Sequence, residues 1–323
     1  MAGGSKKAVY AALFGNLGIA VTKFVAAFFT GSASMWAESY HSVSDTFNQI
    51  LLLVGIRSST QAASERHQFG YGKEVFFWSF IVAVMLFGVS GILSVEQGFS
   101  SLFAAHTIGN VSINYVVLAI SFVFEANALR IAQKMFKETI EARGEKASFR
   151  ALINEFRESS DPTILTVIVE DSAALLGIIV AASGIFLSDI TGNSIFDAIS
   201  SLVIGFILMG FAFFLARENK GLLVGESLKK AEYEKITELI EAIPEVKSLV
   251  AMRTMHIGSQ DVIISIEVNL IDDLNTDKIE LVVDNVEQRV KQVIPYAKDN
   301  HIFVEIQRHD GKKQVATGSH TTL

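Results

Sequence analysis

The chain has 323 residues, half of them hydrophobic, and only 19% are charged, against about 25% in ordinary soluble domains. A composition this apolar excludes a simple soluble globule and indicates a polytopic membrane protein carrying some soluble mass. The formal charge of −7 excludes a basic nucleic-acid binder, and the absence of cysteine excludes disulfides, thiolate metal sites and redox pairs. Any metal must therefore be held by His, Asp, Glu, Asn, backbone or water.

Two lysines, Lys6 and Lys7, precede the first apolar run. The run continues to about Thr30 with no small-residue cleavage site, so it reads as a first membrane helix and not a removed leader. Six runs are long enough to cross a hydrocarbon core, which takes roughly 20 helical residues: 8–30, 35–57, 75–97, 111–134, 162–187 and 194–216. The connections sort by charge. Lys6, Lys7, Arg57, Arg66, Lys73, Lys137, Arg143, Lys146, Arg150, Arg157 and the tail from Arg217 fall on one side, and 31–34, 98–110 and 188–193 hold no Lys or Arg. Basic loops stay inside, so six spans with both termini cytoplasmic are expected. Lys23 lies about two turns from the outer end of the first run and is expected to snorkel to the interface. Asp161 and Pro162 supply an N-cap and a first helical position, which starts the fifth helix near Thr163.

After about residue 219 the pattern becomes helix, strand, strand, helix, strand. "VKSLVAMRTMHIG" and "DVIISIEVNLI" are two β-runs joined by "GSQ". The expected fold is thus a six-helix transmembrane domain (1–218) followed by a small cytoplasmic α+β, ferredoxin-like domain (219–310) and a frayed tail (311–323). The domain is expected to place two helices on one face of a small antiparallel sheet.

The chemistry concentrates in the second and fifth runs. His41, Asp45 and Asn48 are spaced four and three apart, which puts them on one helical face. Ionisable groups at membrane depth are costly unless they face a cavity and a partner. Imidazole, carboxylate and carboxamide oxygen match a divalent-cation site; the competing explanation is a polar helix–helix contact. In the fifth run Glu170 and Asp171 are the only charges between Asp161 and Asp189. Their directions differ by about 100°, so both reach one ion only if the site sits between them; Asp171 is the first choice as ligand and Glu170 a second carboxylate or proton carrier. Asn16, Glu125, Asn127 and Asp197 are weaker signals that line a path or cap helices.

Those motifs resemble the cation diffusion facilitators, divalent-metal/proton antiporters that include the zinc transporters. The matching pieces are "GSASMWAESYHSVSDTFNQ", "HQFGYGKE", the fifth-helix carboxylate, "FDAISSLVIG" and "LLVGES". "DPTILTVIVEDSAALLG" and "DITGNSIFDAI" resemble the branch containing the ninth vertebrate zinc transporter. The family commonly pairs His-x-x-x-Asp in both helices. Here the fifth helix reads Val167-x-x-Glu170-Asp171 and lacks the His. By resemblance His41, Asp45 and Asp171 are ligands, Glu170 or Asn48 completes the set, and His41 exchanges protons. The oxygen-rich set leaves room for Mn²⁺, Fe²⁺ or Co²⁺ beside Zn²⁺. The resemblance also implies a loop site at His67 with Glu65, a cytoplasmic-domain site drawing on His256, His301 and His309 with Asp261 and Glu305, and a homodimer. Metal and protons are substrates, and no prosthetic group is expected. Lipid is the surrounding partner. His-Glu-x-x-His and a phosphate-binding Gly-rich loop are both missing, against a protease or an ATP-driven pump. A non-transporting metal sensor is the rival on the same fold. The short N-terminus without a long Arg-rich presequence points to a bacterial inner membrane.

Overall fold

The computed structural model describes residues 2–103, 109–142 and 162–307. The chain divides into two compact units, Met1–Val224 and Gly225–Leu323. Among the described residues the first holds six long helices: α1 (Ala2–Thr30), α2 (Ala33–Ser59), α3 (Glu74–Phe103), α4 (Val111–Ala142), α5 (Pro162–Thr191) and α6 (Ile195–Val224). Five of the described helices are long and apolar enough to cross a membrane. The sixth, α2, has the length at 27 residues, but its stripe of ionisable groups lowers its apolarity. The unit is apolar outside and polar within. Phe28, Phe29, Phe103, Phe206 and Phe213 are exposed, while Lys23, Glu38, His41, Asn48 and Asp197 are buried. That distribution suits a hydrocarbon solvent, in which polar groups must find partners internally.

Small residues and polar pins set the helix spacing. A Cβ on Gly205 of α6 would lie 2.8 Å from the Gly91 carbonyl oxygen of α3, so that crossing exists only because both backbones are bare. Gly91 belongs to a π-helical stretch, Leu86–Ile92, that interrupts α3. The start of α2 is capped twice. Ser32 accepts from the Met35 amide. The buried Asp197 carboxylate of α6 accepts from the Ala33 amide at 2.5 Å, the Ser34 amide at 3.2 Å and the Ser32 hydroxyl at 2.9 Å, and also from the Ser34 hydroxyl. An anion is favoured there because the first amides of a helix lack partners and carry positive charge. The Asp197 amide donates to Ser188 Oγ of α5 at 3.0 Å. At the end of α1, Thr30 Oγ1 donates to Asn114 Oδ1 of α4 at 3.0 Å.

Lys23 corrects the snorkelling expectation. Its side chain has no exposed surface and pairs with Glu38 of α2 at 2.7 Å. A carboxylate within reach inside the bundle makes the excursion to the interface unnecessary. The Asp161 cap, the basic residues at 143, 146, 150 and 157, and the tail at 311–323 lie outside the described residues.

The second unit contains α7 (Lys230–Glu241), β1 (Val246–Gly258), β2 (Asp261–Leu270), α8 (Thr276–Val293) and β3 (Ile302–Ile306). The sheet order is β1-β2-β3. β2 alternates, with Val262, Ile264, Ile266 and Val268 fully buried against Ile236 and Ile240 of α7 and Val282, Val286 and Val290 of α8. Asn275 Oδ1 accepts from the Lys278 amide and starts α8. β1 and β2 are antiparallel as expected, but β2 and β3 are parallel. The reason is α8, a helical crossover, which returns the chain to run in the β2 direction.

Candidate metal centre

α2 aligns Glu38, His41, Asp45 and Asn48 by intervals of three, four and three residues, so one helical stripe holds all four. Glu38 and Asn48 have no exposed surface and His41 is 1% exposed. His41 Nδ1 lies 3.3 Å from Asp45 Oδ1. The two are not aligned as a hydrogen bond, and neither His41 nitrogen has a hydrogen-bond partner among the described residues.

α5 brings the second half. Its Gly177 lets α2 approach, since a Cβ there would meet Glu38 Oε1. Asn48 Nδ2 donates to Glu170 Oε1 at 2.6 Å, which fixes Glu170 and leaves Asn48 Oδ1 without a partner among the described residues. Asp171, half-buried one residue on, keeps Oδ2 buried and without a hydrogen-bond partner among the described residues. Asp45 lies within electrostatic reach of Glu170, Glu125, Lys23 and Asp171. Across the α2–α5 seam the structure thus joins Asn48 to Glu170, with His41 and Asp45 on the same α2 stripe and Asp171 next to Glu170 on α5. Among the described residues, no three His, Asp or Glu side chains close to a single coordination sphere in this conformation.

Glu38, without a role in the sequence reading, and Glu125, read there only as lining a path or capping a helix, belong to the same neighbourhood. Glu38 occupies the His41 stripe and receives Lys23, and Glu125 of α4 is buried with its charge reaching Lys23. The interval of three from Glu38 to His41 was the available signal, but its partner sits on another helix. Asn127, by contrast, is exposed on the outside of α4.

The secondary candidates are dispersed. His67 is exposed, stacks on Tyr71 at 4.4 Å and exchanges backbone hydrogen bonds with Ser64, an arrangement that shapes the turn; Glu65 is exposed beside it. In the second unit, Asp261 is shared by Lys298 and by His301 Nδ1 at 2.6 Å. His256 is buried on β1, and burial followed by the charge of Lys229 pushes its imidazole down to about 4. Glu305 is exposed on β3, and His309 lies outside the described residues.

The family model described as the cation efflux transmembrane domain matches residues 9–224, and that of the cation efflux protein, cytoplasmic domain, matches 228–307. A human relative named proton-coupled zinc antiporter SLC30A9, mitochondrial, is 35% identical over 236 residues, covering 73% of this chain and 41% of that protein. The Arabidopsis thaliana metal tolerance protein C4 is 32% identical over 79% of this chain and 54% of its own length. The magnetosome protein MamB of Magnetospirillum gryphiswaldense is 25% identical over 93% of both. The chain thus spans about two fifths of the length of the SLC30A9 relatives, 41%. A solved structure of the MamM CTD in a nickel form is 17% identical, with a TM-score of 0.23, and covers 25% of this chain and 100% of its own.

Proposed function

Because this chain belongs to the cation efflux family, we propose that it exports a divalent metal ion, zinc first, in exchange for protons through a site between α2 and α5. One observation carries the reading. At membrane depth, both His41 ring nitrogens, Asp45 Oδ1, Asn48 Oδ1 and Asp171 Oδ2 are buried without hydrogen-bond partners among the described residues. Orphaned polar atoms are costly in a bilayer, and this mixture of imidazole nitrogen and carboxylate oxygen is a donor set for borderline divalent ions.

His41, Asp45 and Asp171 bind the ion. Glu170, held by Asn48, supplies further negative charge, and Asn48 Oδ1 is the candidate fourth donor. The donors close on the ion only as α2 and α5 approach, and that step alternates access between the two sides. Binding needs neutral His41 and ionised carboxylates, so protons and metal compete. His41 is the proton exchanger, because its ring nitrogens cannot hold a proton and donate to the ion at once. Protons entering from the outer side then expel the ion. The names of the SLC30A9 relatives support zinc and proton coupling. The oxygen-rich set extends the range to Mn²⁺, Fe²⁺ or Co²⁺. The basic inner loops support cytoplasmic termini in a bacterial inner membrane; the relatives named as mitochondrial favour an organelle membrane as the second setting.

Zinc uptake into proteoliposomes under an imposed pH gradient tests this. His41→Ala and Asp45→Ala are expected to abolish zinc-coupled proton flux while eluting as folded protein. Wild-type flux in both variants overturns the assignment. Running Mn²⁺ against Zn²⁺ in the same assay reads selectivity.

A further inference from the structure

The transport reading leaves the buried ion pair of Lys23 and Glu38 without a task. Stability alone is a poor reason for it, since desolvating two charges commonly costs as much as their attraction returns. Its position suggests another. Glu38 is one turn from His41 on the same face of α2. Only its Oε2 is bound by Lys23, at 2.7 Å; Oε1 is buried and has no hydrogen-bond partner among the described residues. Gly177 of α5 makes the room: a Cβ there would collide with Glu38 Oε1. The seam is therefore held at two levels, by Asn48 and Glu170 at one end and by Glu38 against Gly177 at the other. His41 and Asp45 lie between them. The Glu38 level is nearer the start of α2, which the loop charges put outside.

We propose that Lys23 is a tethered cation that competes with the divalent ion for Glu38, so that Glu38 is a second, outer station on the path; this rests on the α2–α5 transport reading. An ion released from His41 moves one turn outward to Glu38 and displaces the ammonium. Glu125, whose charge already reaches Lys23, receives it. When the ion departs, Lys23 returns to Glu38 and blocks rebinding. Glu38 keeps one cation throughout the exchange.

Zinc affinity of the full chain in detergent and turnover in proteoliposomes test this together. Lys23→Met frees both Glu38 oxygens and is expected to tighten zinc binding roughly tenfold while slowing turnover. Adding Glu38→Gln is expected to return the affinity to wild type. A folded Lys23→Met variant with unchanged or weaker affinity overturns the proposal. If that variant does not fold, the double variant, which removes both members of the pair, decides. Wild-type affinity with turnover slowed roughly tenfold supports the outer station, and wild-type turnover overturns it. Wild-type protein that neither binds nor moves zinc sinks the transport reading, and this proposal with it. Wild-type transport with either overturning result sinks the Lys23 proposal alone.

Discussion

At the residue scale, His256 shows how burial converts into pH dependence. Its imidazole is held down to about 4 by desolvation and by Lys229, against about 6.5 in an unfolded chain. Between those values the unfolded state binds the extra proton, so stability is complete above about pH 6.5 and falls as pH drops toward 4. The loss amounts to about 3 kcal/mol at most. Hydrogen exchange at the β2 amides of the full chain, measured from pH 7 to 4.5, is expected to reveal this, and His256→Gln is expected to flatten the response. An unchanged slope in that variant assigns the dependence elsewhere. His41, Asp45 and Asn48 were legible because intervals of four and three define a helical face whatever the tertiary structure. Glu38 lies on the same face, yet its partner Lys23 is fifteen residues away on another helix, and no local pattern encodes that meeting.

At the element scale, all six long helices could be read from apolar length and the alternation of basic loops. α2 needed the loops as well, because its polar stripe weakens its hydropathy. The π-helical stretch at Leu86–Ile92 was not legible. In an evenly apolar segment a widened turn leaves no mark in the hydrophobic period. Asp197 was legible as lining a path or capping a helix, but not that the helix is α2, since the contact joins residues more than 160 positions apart. Asp197→Ala is expected to cost about 1–2 kcal/mol, the range for losing a good cap. The readouts are a lower thermal transition in detergent and faster exchange at the Ala33 and Ser34 amides. Asp197→Asn keeps an acceptor and is expected to recover part of the loss; an Ala variant as stable as wild type removes the cap from the account of α2.

At the scale of the whole molecule, the helix-strand-strand-helix-strand order of the second unit was readable from its periodicities, but the direction of β3 was not. That direction depends on where α8 delivers the chain, not on any residue within the strand. Since residues 228–307 match the cation efflux cytoplasmic domain, the 35.2 kDa chain is expected to run as a homodimer, and native mass spectrometry in detergent that finds only the single-chain mass refutes it. The Asp197 pins have a mechanical corollary. Through Ser32, Ala33 and Ser34 on one hand and Ser188 on the other, they clip the first turn of α2 and the last turn of α5 to a single carboxylate-bearing turn. α2 and α5 are thus joined like tongs at one end, and a modest splay about that joint is magnified along their length. It reaches Asn48 and Glu170, far from the joint, as the widest parting of the jaws.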